Sequence, residues 1–425
     1  MANDFSSNFT RKLARVFLEK FDSERVLSKN VNTQLLEGKF APDTGDIVDF
    51  KRPTDYKSVR TATGDITGTR MDIITGKASG IVQPYFTVVV DFNEADQAIK
   101  MDQLDQLLAP MATRIKTDLE LDFAEFMLRN SGLLSGVVGT PVTIWDHVAR
   151  AGAMMESSGV PKDNGWFYGM NPFTQTKLAS NQRSLGAGGV AGGPIKTAHE
   201  KATITENFAG MDVMTATSLG SVVMPTAADL AGVLSANPLV TYLAHKDTMI
   251  QSLPVSGFTV SITIPKGSVV RITGRNRLNL STRKLILDET GAPVVYTGVL
   301  TADAVIDGAG VGTLLVSGPA IFEANGGYNT VNSAPVSGDV VTILNASAST
   351  IQPNLFWHKQ AFGIGSVPIK KLYSTDTLAT TEDGLQFRVS KYAVGDANKQ
   401  VVRFDFRPAY AVFNPFFSGQ SFGFP

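Results

Sequence analysis

Lys51-Arg52-Pro53-Thr54-Asp55-Tyr56-Lys57-Ser58-Val59-Arg60-Thr61-Ala62-Thr63-Gly64-Asp65 is polar, mixed in charge and rich in threonine, and Gly64, Gly68, Gly76 and Gly80 punctuate its end and the segment downstream. The stretch holds too few apolar residues to fold on a core of its own. On either side, Ile47 to Phe50 and Thr87 to Phe92 read as short strands of alternating or β-branched residues. The piece between them reads as a long two-stranded excursion, and such a ribbon is barely stable alone in water. It is either a floppy surface loop or a ribbon supported by another chain.

Upstream, Phe5, Phe9, Leu13, Val16, Phe17 and Phe21 recur at helical spacing, with Arg11, Lys12, Arg15, Glu19 and Lys20 on the other face. This amphipathic helix docks on its own domain or on a neighbouring subunit. Downstream, Leu104, Leu107, Leu108, Met111, Ile115, Leu119, Phe123, Phe126 and Met127 form one apolar stripe, so a long helix is expected to lie across a sheet. Arg114 with Asp118, and Lys116 with Glu120, are spaced i,i+4 on its solvated side. Pro110 predicts a break, leaving a main helix over about 111–130 that stops at Gly132.

Residues 141–224 mix periods. A helix is expected from Val142 to Ser157, a strand over Gly165 to Met170, a turn at Asn171-Pro172 with a polar helix to Ser180, a mobile glycine-rich loop over Gly186 to Gly193, and alternation in Met211 to Met214. From 225 to about 347 the helical period disappears. Val255 to Ile264, Ser268 to Thr273, Lys284 to Leu287, Val294 to Val299, Gly312 to Val316 and Asp339 to Leu344 read as short strands between Gly, Pro and Asn turns. Strands at that spacing make a small barrel or sandwich. Asn345 to Thr350 is the exit linker, and 351–425 returns to strand pieces with aromatics.

With 425 residues, two or three domains are expected, and a hydrophobic fraction of 43% suffices for sizeable cores. The charged fraction, 18%, is low, which suits either a surface covered by other chains or a Gly- and Thr/Ser-rich β protein. A net charge of −1 argues against a protein whose main task is gripping nucleic acid. The absence of cysteine excludes disulfides, thiolate metal sites, Fe–S clusters and Cys nucleophiles. No stretch has the ~18 consecutive apolar residues of a membrane span. Arg11, Lys12 and Arg15 interrupt the place of a signal peptide, so a soluble, non-exported chain without a membrane partner is expected.

No catalytic set assembles. His147, His199, His245 and His358 lie in different segments without metal-ligand spacing, and His199-Glu200 lacks the second histidine of a zincin helix. Gly419-Gln420-Ser421-Phe422-Gly423 matches a nucleophile elbow as text, but too little chain comes after it for a helix and a histidine. Gly186 to Ala191 has no strand before it or helix opening from it, and Gly38-Lys39 and Gly76-Lys77 lack the rest of a Walker sequence. Asp118 and Asp122 share a solvated helix face with nothing to mark acid and base, and the Asn-x-Ser/Thr matches at Asn8, Asn279 and Asn345 mean little without secretion. No catalytic residue, cofactor or metal is expected, and a structural role is favoured.

The order of segments then resembles a known family. A helical arm, a polar β excursion, a long helix, a mixed α/β region, an inserted β barrel and a return to strands are similar to the major capsid protein of tailed phages, the Hong Kong 97-type fold. The narrower resemblance is to the coat protein of short-tailed lambdoid (Lederbergvirus-type) phages, which carries a telokin-like insertion. Trp166-Phe167-Tyr168 through Asn171-Pro172 resembles that family's aromatic strand ending in Asn-Pro. Lys266-Gly267-Ser268-Val269-Val270-Arg271-Ile272-Thr273-Gly274 resembles the first barrel strand, and Asn354-Leu355-Phe356-Trp357 with Ala361 resembles the return from the insertion.

The resemblance implies an α+β fold with an N-terminal arm over 1–40 and an extended loop with P-domain strands over 41–100, the loop lying within 41–84 over an adjacent subunit. It further implies a spine helix over 101–131, an A-domain over 132–224, an inserted β barrel over 225–347, and a return to the A- and P-domains over 348–425. It implies a subunit of hexamers and pentamers in an icosahedral shell around double-stranded DNA, assembled with scaffolding and portal proteins in the host cytoplasm and present in the virion. Lys51, Arg52, Asp55, Lys57, Arg60 and Asp65, with His245, Lys246 and Asp247 on the insertion, are the expected intersubunit contacts. An encapsulin-like compartment, and a β-rich multidomain hydrolase or surface-binding protein, are the rival readings.

Overall fold

The computed structural model describes residues 11, 14–15, 25–33, 35, 47–56, 58–67, 72–93, 104–163, 165–184, 192–324, 326–373, 376–381, 383–394 and 399–425. The expected N-terminal helix lies almost wholly outside the described residues, as does Lys57. The chain is α+β and forms two compact units, one of 1–49, 79–123 and 362–411, the other of 50–78, 124–361 and 412–425.

In the first unit, an antiparallel sheet runs in the order Thr377–Thr380, Gln386–Val394, Lys399–Phe406, Phe86–Asn93. Its inward face stacks Phe387 on Phe406, ring centroids 4.5 Å apart, with Val389, Val402 and Phe404 buried alongside. Asp405, fully buried, ties the strands together: one carboxylate oxygen accepts from Thr87 Oγ1 at 2.7 Å and Arg403 Nε at 2.7 Å, the other from Arg388 Nε at 3.1 Å. Arg388 also donates to the Lys370 carbonyl at 2.8 Å, so the buried charges are closed by hydrogen bonds as well as by one another.

The long helix α1 is Leu104–Asn130, and Pro110 lies inside it. The expected break is therefore corrected. Pro110 sits in the second turn and is exposed, so the one lost backbone bond is tolerated near the helix start. Arg114 pairs with Asp118 at 3.1 Å, as the spacing predicts. Glu120 is not on a solvated face. It is buried, and its oxygens accept from the backbone N–H groups of Leu27 at 2.8 Å and Ser28 at 3.1 Å, and from the Ser28 hydroxyl. The carboxylate pins the end of the N-terminal segment to α1. Phe123 packs on Tyr410 with centroids 5.2 Å apart, and Tyr410 donates to Asp122 at 2.9 Å.

In the second unit, a six-stranded sheet has the order Leu133–Ser135, Ser418–Ser421, Asn354–His358, Trp166–Met170, Met211–Thr215, Asn207–Phe208. Helix α2, Trp145–Ser158, buries Val148, Ala151 and Met155 in the same core as Trp166, Tyr168, Met170 and Met211. Gly159 ends it in the left-handed region at φ 90, a conformation that costs a Cβ-bearing residue. The polar helix α3 runs Pro172–Ser184, and α4, Gly192–Lys201, occupies the end of the segment read as a glycine loop.

The second unit also holds a closed barrel, with strands in the order Ile250–Ser256, Gly312–Ser317, Val295–Leu300, Val269–Asn276, Val340–Ile343, Ala231–Leu234. Leu253, Val255, Val270, Ile272, Leu314, Val316 and Val341 fill it. Its first and last strands are neighbours (Val340 opposite Val233), and the chain enters and leaves through a two-residue pair, Val222 opposite Ile351 and Val223 opposite Thr350. Two expected strands are corrected. The run Val255 to Ile264 is cut at Gly257, whose φ of 84 turns the chain. Lys284 to Leu287 makes only isolated bridges, Leu278 with Leu285 and Leu287 with Pro293, in a flap held by the Asp288 turn. That flap reaches α2: Asn279 Nδ2 donates to the Ser157 carbonyl at 2.8 Å, and Arg150 pairs with Glu289. Arg277, buried and pushed down to about 10 by desolvation, donates to the Gly132 and Thr297 carbonyls.

Candidate functional site

The polar, threonine-rich segment leaves the Ile47–Lys51 strand and returns along Lys77–Val82. The pairing extends by one bond, Arg52 N–H to the Gly76 carbonyl at 2.9 Å, and then the two sides separate. No strand is assigned between 52 and 76 among the described residues, which corrects the two-stranded ribbon. Neither side has the alternating apolar face that would hold a partner strand in register.

What holds the root is the barrel of the same chain. The Asp55 backbone N–H donates to the Tyr328 hydroxyl at 3.0 Å, and that hydroxyl donates to the Ile74 carbonyl at 3.1 Å, so one side chain bridges the outgoing and returning segments. Tyr328 is itself fixed by stacking on Tyr242, the planes 3° apart. Asp55 pairs with Arg283, which also donates to the Asn329 carbonyl at 2.8 Å. On the returning side, the Lys77 N–H donates to Asp247 Oδ1 at 3.2 Å. Gly76 admits nothing larger: a Cβ there would lie 2.3 Å from the Lys246 carbonyl oxygen.

Arg52 is the buried cation of this root. Its guanidinium donates to the carbonyls of Lys77 at 3.0 Å, Val412 at 3.2 Å and Phe413. Burial pushes its pKa down to about 10, against the favourable fields of Tyr242 and Asp247. Asp247 is held below the ordinary carboxylate value, first by the hydrogen bond from Lys246 and also by the Lys77 amide. Beyond the root the segment is exposed, and Arg60 and Asp65 stand in solvent, Asp65 lowered by hydrogen bonds from Thr67. Tyr56, Val59, Ile66 and Ile73 are exposed too, Ile73 by 73%.

The expected contact residues therefore fall into three groups. Lys51, Arg60 and Asp65 are exposed, whereas Arg52, Asp55, Lys246 and Asp247 have partners within the chain. His245 is turned inward, with Nδ1 3.0 Å from the Ile250 carbonyl and Nε2 2.8 Å from that of Leu239. A neutral imidazole carries one N–H, so one of those contacts is its hydrogen bond. Sequence reasoning missed Tyr328, Arg283, Tyr242 and Gly76. Nothing local marks them, because they act across some 170–270 positions of chain.

Three of the residues weighed for chemistry, His358, His147 and Ser421, are buried in packed surroundings. His358 is buried and faces Asp163 at 2.9 Å, while its other nitrogen accepts the Gln360 N–H. Desolvation pushes the pKa of buried His147 down. Ser421 lies buried within the six-stranded sheet, accepting from the Tyr168 hydroxyl at 3.0 Å. Among the described residues no group of His, Asp or Glu could hold a metal ion, and no helix is long and apolar enough to cross a membrane.

Similarity to known proteins runs the length of the chain. The model of the family described as "P22 coat protein - gene protein 5" matches residues 1–423. The "Major capsid protein" of Acyrthosiphon pisum secondary endosymbiont phage 1 is 36% identical over 431 residues, covering 100% of both chains. Among solved structures, that of Mycobacterium phage Che8 is similar at a TM-score of 0.47 and 11% identity, covering 94% of this chain and 91% of that one. The asymmetric unit of the bacteriophage PhiM1 mature capsid is similar at 0.44 and 7% identity, covering 92% and 86%. By the full-length sequence matches, the chain belongs to the P22 coat protein family.

Proposed function

We propose that this chain, a phage major capsid protein by its family, has the Hong Kong 97-type arrangement. It closes into an icosahedral shell of hexamers and pentamers around double-stranded DNA, with scaffolding and portal proteins as assembly partners and no enzymatic step of its own. In this reading α1 is the spine, 132–224 with part of 351–425 is the A-domain, and the barrel is the insertion. The shell is built in the host cytoplasm and remains in the virion.

The observation that carries the reading is the segment between Asp55 and Ile74. Its root is anchored by a buried arginine and a tyrosine bridge, while beyond those anchors Tyr56, Val59, Ile66 and Ile73 face solvent. A segment anchored at the root with apolar side chains outward suits coverage by a neighbouring copy, since repeated weak contacts accumulate in a closed assembly. Lys51, Arg60 and Asp65 can orient that neighbour by charge, with little affinity per pair. A net charge near zero suits a container that must release its DNA.

The test is co-expression with the scaffolding protein, then electron microscopy of the product. Closed particles of uniform size are expected from the intact chain, and chains that stay dispersed under all assembly conditions overturn the reading.

A further inference from the structure

The barrel meets the root of the extended segment from two sides. Tyr328, stacked on Tyr242, bonds both the outgoing Asp55 and the returning Ile74, and Asp247 receives the Lys77 amide. Lys246 leaves so little room at Gly76 that the returning strand must pass at one height above the loop. These contacts lie within one chain, so they exist before any neighbour arrives. We infer that the barrel is an intrachain clamp that fixes the direction in which the chain departs at Asp55 and returns at Ile74, with Tyr328 as its positioning residue.

The atoms held are mostly those of the main chain. The Tyr328 hydroxyl and the Asp247 carboxylate grip backbone groups, N–H of Asp55 and Lys77 and C=O of Ile74, so they fix the path of the chain whatever side chains the tip carries. The Tyr242–Tyr328 stack sets the height of the hydroxyl, because parallel rings with centroids 3.7 Å apart leave the phenol no other tilt. Arg283 reaches the Asp55 side chain from the barrel flap and closes the outgoing side. The clamp depends on the shell reading for its purpose and not for its geometry.

Hydrogen–deuterium exchange on the unassembled full chain tests it. In the native chain, the Asp55 and Lys77 amides exchange more slowly than that of exposed Arg60. Tyr328→Phe keeps the ring and removes the hydroxyl. It is expected to speed exchange at Asp55 by about tenfold, the ordinary net worth of one hydrogen bond, while Val270 and Leu314 inside the barrel stay protected. Equal exchange at Asp55 and Arg60 in the native chain, or no change in the variant, overturns the clamp. If Tyr328→Phe also loosens the barrel amides, Asp247→Ala decides. Faster exchange at Lys77 with an intact barrel supports the clamp, and unchanged exchange removes it. Native chains that show the clamp but form no particles sink the shell reading and leave the clamp standing.

Discussion

Arg52 shows how a residue type misleads when it is read locally. In the sequence it belongs to a mixed-charge run, the usual mark of a solvated surface, yet it is buried under three backbone carbonyls. Nothing in Lys51-Arg52-Pro53 could announce this, because the acceptors come from residues 77, 412 and 413. Gly76, read only as punctuation, is an obligatory glycine for steric reasons. Gly76→Ala is expected to destabilise the monomer by about 1–3 kcal/mol in denaturant unfolding, the usual cost of overpacking against backbone. Asp405→Ala leaves two arginines facing an empty buried position, and a loss of roughly 3–5 kcal/mol is expected in the same measurement. Asp247 sets a pH dependence. A carboxylate whose folded pKa is lowered contributes stability above its ordinary value of 3.8 and loses it as pH falls through the lowered one. Acidification below the ordinary carboxylate value should therefore lower the protection factor of the Lys77 amide, once the intrinsic slowing of exchange in acid is divided out, and Asp247→Asn should abolish that acid response.

At the scale of elements, what period and turn chemistry encode was legible. The helix over 145–158, the strand 166–170 and most barrel strands fall within a few residues of their expected places. Ala231–Leu234 was missed because it is short and holds Gly232, whose glycine is demanded by the Ser256 carbonyl 2.4 Å and the Phe258 ring 2.6 Å from a Cβ position. A close approach of that kind leaves no periodic trace. Glu120 was misplaced for a similar reason, since its partners, Leu27 and Ser28, lie 93 and 92 positions away. Pro110, weighed as a helix-interior proline, predicts a shorter helix than the observed Leu104–Asn130. Its exposed place near the start makes a prediction: Pro110→Ala restores a backbone bond and should raise stability by about 1–3 kcal/mol, read as a higher Tm.

At the scale of the molecule, the succession of segments was more informative than any motif, and it led to the family that the full-length matches establish. The source of support for the extended segment was less legible. The sequence allowed a floppy loop or a second chain, and the structure supplies the root from the barrel, with residues 58–67 exposed beyond it. Deleting residues 58–73 should leave a folded monomer with an unchanged melting transition and no closed particles of normal size, checked by calorimetry and electron microscopy.

The narrow neck of the barrel, with Val222 opposite Ile351 and Val340 opposite Val233, has a consequence for descent. A module whose two ends sit side by side behaves as an interchangeable cartridge, so a swap can leave the strands on either side of the neck on the same route. Heredity could then experiment with this appendage while conserving the rest. Any replacement, though, would have to arrive with its own equivalent of the tyrosine latch, or the arm beside it would lose its bearing.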